Sequence, residues 1–155
     1  MPRRSAGLLM YRRSGVGLEV LLVHPGGPFW AKKDHGVWTI PKGEYGDDEA
    51  PLAAAQREFA EETGGRPHGA FAPLGEIKQA GGKHVTAWAV EGDFDPTDLV
   101  SITFEIEWPP RSGHKRSFPE VDRAQWFAPD EARKRILPAQ RPFIDRLEQF
   151  LAPGT

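Results

Sequence analysis

Glu58, Glu61 and Glu62 fall at i, i+3 and i+4 of a stretch with helical character, so their carboxylates leave one side of the helix within about 100° of arc. Like charges at this spacing cost a helix about 0.2 to 0.5 kcal/mol per pair. A divalent cation between them would turn that repulsion into attraction. All the donors are oxygens, and the chain has no cysteine, which excludes disulfides, thiolate ligands and a cysteine nucleophile. The five histidines show no zinc spacing. Hard cations are therefore favoured: Mg²⁺, with Mn²⁺ as a substitute, binds carboxylates while leaving positions for phosphate oxygens and water. Such a site could bring a phosphate group and an attacking water together. An isolated triad of this kind also reads as a solvated acidic helix face, so the surrounding residues must decide.

A helix is expected from Asp47 or Asp48 as cap, through Pro51 in the first turn, to Thr63, with Gly64 and Gly65 ending it. Leu52, Ala55 and Phe59 would form its core stripe, on a different face from the acids. Ala6 to Tyr11 and Leu18 to His24 read as strands joined at Ser14 to Gly17, apolar enough to be buried on both faces, so helices should cover both sides of the sheet. Pro25 to Gly46 reads as a long loop with a short strand around Val37 to Ile40. Further strands are expected at Val85 to Val90, Ser101 to Trp108 and Ala124 to Phe127, with a loop rich in proline and basic residues between the last two. A short helix from Pro129 to Arg135 and a final amphipathic helix carrying Phe143, Leu147, Phe150 and Leu151 complete the chain. The pattern is one mixed α/β domain, residues 1–155.

The run Gly43-x5-Glu49-x7-Arg57-Glu58-Phe59-x-Glu61-Glu62-x-Gly64-Gly65 resembles the signature box of the Nudix hydrolases. Every charged and glycine position of that box is filled, and the loop and helix around it match the family's context. Gly65 stands where the family usually has an aliphatic residue, and Phe59 is a bulky choice at a hydrophobic position. The box spans a small part of the chain, but the strand order and late helix are also similar to the family's α/β/α sandwich with a mixed sheet.

The resemblance implies that Glu58, Glu61 and Glu62 bind the divalent ions with help from the main-chain carbonyl of Gly43. It leaves open whether Glu58 is a ligand or the general base. Arg57 looks like the family arginine that orients a box glutamate. Glu49 either stabilises the helix start through its dipole or touches water on the ion. Glu120, ahead of Trp126-Phe127, resembles the acid many members place outside the box, as a further ligand or as the base; the alternative is a solvated loop glutamate. Lys42 could meet a polyphosphate as a point charge, and the Pro41-Lys42-Gly43 form is similar to members acting on dinucleoside polyphosphates or inositol pyrophosphates. Arg111, His114, Lys115 and Arg116 make a basic loop that either clamps terminal phosphates or is simply solvated. Phe29, Trp30, Trp38 and His84 could stack on a base, although packing explains each one singly.

At 155 residues and 39% hydrophobic the chain can bury one sizeable core, and its formal net charge of −2 gives no global reason to bind DNA or an anionic membrane. The apolar run after the first arginines is too short for a membrane span, so a soluble cytoplasmic setting is expected. The expected activity is metal-dependent hydrolysis of a phosphoanhydride in a small nucleotide-like substrate, a dinucleoside polyphosphate or nucleoside triphosphate above others. An RNA 5′-end pyrophosphohydrolase and a nucleotide-sensing module without turnover are the alternatives, and a homodimer is compatible with the sequence.

Overall fold

The first strand, β1 (Arg4–Ser14), sends Ala6, Leu8 and Met10 to one face and Leu9 and Tyr11 to the other, and all five are buried. A strand apolar on both faces must lie between two covering layers. The computed structural model describes residues 3–153 and has this arrangement. The other strands are β2 (Gly17–Pro25), β3 (Lys42–Glu44), β4 (Ala72–Gln79), β5 (Lys83–Glu91), β6 (Thr103–Glu107), β7 (Lys115–Pro119) and β8 (Val121–Phe127). The helices are α1 (Pro51–Thr63), α2 (Pro129–Arg135) and α3 (Arg141–Leu151). The main sheet runs β4-β5-β1-β2-β8, with β3 also on β1, while β6 and β7 form a separate hairpin. β1 and β5 are parallel and the remaining pairs are antiparallel, so the sheet is mixed.

α1 packs Ala54, Ala55 and Phe59 on one face of the sheet, and α2 and α3 cover the other with Ala132, Phe143, Ile144 and Leu147. Helices on both sides are thus as expected. Within α3, Ile144 is buried and Phe150 is 54% exposed, so the stripe is Phe143, Ile144, Leu147 and partly buried Leu151. In α1, Leu52 is only partly buried and Ala54 takes the deeper position.

β1 and β2 pair only over Tyr11 to Ser14. Below that they part, and the chain from Thr39 to Glu44 fills the gap: Thr39 bridges Val23, the Leu8 amide donates to the Pro41 carbonyl at 3.2 Å, and β3 pairs with Ser5 to Gly7. This opening in the sheet, facing α1, sets the place of the site.

Several elements differ from the sequence expectation. No strand forms at Val37 to Ile40: Trp38 and Thr39 make single bridges, and the strand comes later as β3. Neither Asp47 nor Asp48 caps α1; Ala50 is the N-cap without a side-chain bond, and Pro51 at the first helical position presets the backbone instead. β4 was hidden by Pro73 and Gly75, which are tolerated because it is an edge strand with a bulge there. The segment read as a basic loop contains β7, which hairpin pairing to β6 holds extended.

Candidate active site

Gly64 ends α1 in the left-handed conformation at φ 83°, with its amide donating to Ala60 at 2.8 Å, so the last two turns present Glu58, Glu61 and Glu62 beside the opened sheet. There they line a cavity of 340 Å³ with Lys42, Gly43 and Glu44 of β3, Ser5 of β1, Lys83 of β5, Ile102 and Glu120. Glu120 reaches it through a relay of main-chain bonds. The Ile102 amide donates to the Glu61 carbonyl at 2.9 Å, the Glu120 amide to Ile102 at 2.8 Å, and the Gly26 amide to Glu120 at 2.9 Å. A residue far along the chain is thereby tied to the acid-bearing turn of α1.

Arg57 is the hub of the helix acids. It grips Glu49 with two parallel bonds, Nε to Oε2 at 2.8 Å and Nη2 to Oε1 at 2.9 Å. Its Nη1 donates to Glu58 at 2.9 Å and to Glu61 at 3.1 Å, and its Nη2 reaches the Glu44 carbonyl at 3.4 Å. The Glu49 carboxyl is held below its usual range by the bond from Arg57, and the guanidinium is held more firmly protonated by Glu49 first and then by Glu58 and Glu61. Glu49 precedes the helix cap, so pairing to Arg57 accounts for its position better than the helix dipole.

Glu62 turns the other way and accepts from the Lys42 amide at 3.3 Å. Burial pushes its carboxyl upward, with Glu58 and Glu120 adding repulsion against the pull of Lys42. The Lys42 ammonium is lowered by the same burial, against the pull of Glu62. Glu58, with a side chain only 13% exposed, is also raised by burial, partly offset by Arg57. Gly43 leaves room for this packing: a Cβ there would overlap the Glu58 carboxylate and push it aside.

The donor set fits a hard divalent cation. Carboxylates crowd a small polar cavity against their own desolvation, and the bare Gly43 backbone lies directly against one of them. Among the described residues no three acids or histidines stand together as a ready-made cage, because Arg57 draws Glu58 and Glu61 to itself while Glu62 faces Lys42. Cation binding would draw on Glu58, Glu61, Glu62 and Glu120, with Gly43 adjacent.

The remaining candidates lie elsewhere. Trp38 is fully buried, donating Nε1 to Asp34 at 2.9 Å and packing edge-on to His24 and Phe127, so it has no ring face for a base. The stacking expectation fails for it because a large aromatic in a two-layer core is worth more inside. His84 pairs through Nδ1 with Glu76 at 2.9 Å and is not among the cavity residues. Lys115 lies on β7 and Arg111 at the hairpin turn, and neither lines the cavity; Lys115 is five residues from Glu120, roughly 16 Å along an extended strand. Phe29 and Trp30 are exposed, Phe29 edge-on to Trp108 at 5.4 Å. Sequence reading missed Lys83, Glu44, Ser5 and Ile102. Only Glu44, adjacent to the box glycine, had a local signal.

A model described as the NUDIX domain matches residues 1–147. Among solved structures, the chain is similar to the Ap4A hydrolase of C. elegans, with 22% identity, 98% of this chain and 100% of that chain covered, and a TM-score of 0.63. It is similar to the NUDIX domain of Shewanella oneidensis NrtR, solved with ADP ribose, at 16% identity over 98% and 90% of the two chains with a TM-score of 0.65. The MutT protein of Methanosarcina mazei Go1 aligns at 18% identity over 96% and 94%, with a TM-score of 0.62. No curated protein sequence matches. At these identities the structural likeness concerns the fold.

Proposed function

Because the chain belongs to the Nudix family of pyrophosphohydrolases, we propose that it hydrolyses, with Mg²⁺, a phosphoanhydride bond in a nucleoside diphosphate or polyphosphate linked to another moiety. Dinucleoside polyphosphates and nucleoside triphosphates are the favoured substrates. The observation that carries this reading is the cavity in which Glu58, Glu61, Glu62 and Glu120 face Lys42 and Lys83. Carboxylates alone would repel a polyphosphate; carboxylates with a cation, flanked by two lysines, attract one. The Ap4A hydrolase of C. elegans shares this fold at 22% identity, and dinucleoside polyphosphates therefore head the substrates to be tested.

A divalent cation held by these acids would polarise a phosphoryl oxygen and make water a stronger nucleophile at neutral pH. The chain's own groups do the rest. Glu58 or Glu120 takes the proton as the water oxygen bonds to phosphorus, and the bridging oxygen leaves with the departing phosphate. Burial that raises Glu58 suits it to that proton. Arg57 fixes Glu58 and Glu61 through charge-assisted bonds and acts as a positioning residue. Lys42 and Lys83 offer point charges to the phosphates beside the reacting one.

The test is product release, separated by chromatography, across dinucleoside polyphosphates, nucleoside triphosphates, nucleotide sugars, inositol pyrophosphates and 5′-triphosphorylated RNA, with Mg²⁺, with Mn²⁺ and with chelator. Turnover of the first two classes that stops on chelation is expected. Nucleotide binding without turnover under any metal would overturn the catalytic reading in favour of a sensing module, and preference for RNA would overturn the small-substrate reading.

A further inference from the structure

A second cavity, of 610 Å³, adjoins the acidic one along the outer side of α1. Glu61 and Ile102 belong to the walls of both, so the two form neighbouring halves of one trough. Its apolar wall is Ala60, Pro67 and Ile102, and Ile102 is 49% exposed, a large aliphatic side chain left facing solvent beside the catalytic acids. Its polar side is Arg66 and His68. Neither has a hydrogen bond or ion pair among the described residues, whereas Arg57 in the same wall is saturated by Glu49, Glu58 and Glu61.

The end of α1 puts them there. After the left-handed reversal at Gly64, the Gly65 amide donates to the Thr63 hydroxyl at 3.0 Å. A Cβ at Gly65 would press on the Phe94 and Phe59 rings, so Phe94 occupies the space an aliphatic residue at that position would fill. The chain thus turns back beside the helix and carries Arg66 to His68 past Ala60.

We propose that this cavity binds the part of the substrate beyond the scissile anhydride: the distal phosphate on Arg66 and His68, and the second nucleoside of a dinucleoside polyphosphate against Ile102. This rests on the phosphoanhydride reading of the acidic cavity. An anionic chain leaving that cavity must pass Glu61, and the unpaired guanidinium of Arg66 on the far side supplies the counter-charge. The volume is that of a nucleotide-sized site. A nucleoside triphosphate, having no second nucleoside, would leave most of it unfilled. The cavity thereby sets a preference for substrates extended on both sides of the anhydride.

The experiment compares wild type, Arg66→Ala/His68→Ala and the milder Arg66→Gln, with Lys134→Ala as a charge control on the exposed face of α2. Binding of a methylene-bridged dinucleoside tetraphosphate analogue and of a non-hydrolysable nucleoside triphosphate is measured by titration calorimetry, and KM and kcat are measured for the hydrolysable counterparts. Losing the charge-assisted bonds should weaken the dinucleoside analogue about tenfold or more and raise its KM alike, with a much smaller change for the triphosphate. Lys134→Ala should follow wild type. Equal losses for the two ligands, no loss, an equal loss in Lys134→Ala, or no binding of the dinucleoside analogue by wild type would overturn the proposal. If the double variant fails to fold by circular dichroism, Arg66→Gln decides by the same comparison. A wild type that binds the dinucleoside analogue in an Arg66-dependent way but hydrolyses nothing would retain this site while refuting the hydrolytic reading.

Discussion

Glu58, Glu61 and Glu62 are separated by what they touch: the first two share Arg57, while the third is buried against Lys42. Glu61→Gln or Glu62→Gln should lower kcat about a hundredfold or more, because an amide binds a hard cation weakly. Turnover by either variant equal to wild type at saturating Mg²⁺ would remove it from the metal site. Glu58 and Glu120 compete for the role of base. Both line the cavity, but only Glu58 is tied to Arg57. The true base should show the larger kcat loss on conversion to glutamine, a smaller change in KM, a flattened acid limb in the pH profile and no rescue by added Mg²⁺. Partial rescue of Glu120→Gln by Mg²⁺ would make it a ligand, and full activity would return it to the solvent.

The strand β3 and the helix α1 meet with no room to spare at Gly43. Gly43→Ala should therefore displace the Glu58 carboxylate and reduce kcat by at least tenfold, while circular dichroism and thermal midpoint change little, since the strand itself is short and partly exposed. A fully active Gly43→Ala enzyme would contradict this fit. The long loop before β3 is held by Asp34, which accepts from Trp38 Nε1 at 2.9 Å and pairs with Arg135 of α2. Those bonds, Trp38 first, depress the Asp34 carboxyl below its usual 3.8. A depressed folded-state pKa gives stability that is present above the unfolded pKa and lost as pH falls through the folded one. Asp34→Asn should thus lower the thermal midpoint at neutral pH, with the difference from wild type shrinking only below about pH 4. A difference independent of pH down to 2 would mean that the carboxylate charge contributes nothing.

The protein as a unit pairs its acids internally, which determines how it should respond to metal. Arg57 and Lys42 already compensate Glu58, Glu61 and Glu62 in part, so chelation should abolish turnover without unfolding the domain. Adding Mg²⁺ should then raise the thermal midpoint in proportion to the logarithm of its concentration above Kd, and this rise should vanish in Glu62→Gln. Unfolding on chelation would instead mark the metal as structural. Among the described residues no helix is long and apolar enough to cross a membrane.

The helix, its acids and the family were legible in the chain because they are local: a period of 3.6, a glycine stop and a fixed set of charged positions all lie between Gly43 and Gly64. The two-sided burial of β1 was legible for the same reason, since alternation along one strand reports both faces. What the chain could not reveal depends on partners distant in sequence. Lys83 and Ser5 reach the site only because β5 and β3 both pair with β1. Glu120 reaches it only through the main-chain relay over Ile102. Trp38 looked available for stacking because nothing local distinguishes an exposed aromatic from one enclosed by His24 and Phe127. The loop residues Arg111 and Lys115 carried the right charge, but β6–β7 pairing directs them along a hairpin away from the cavity, and the unpaired Arg66 stands beside it instead. Charge is a property of the sequence, whereas which charges share a cavity is decided by strand order and by where the chain turns.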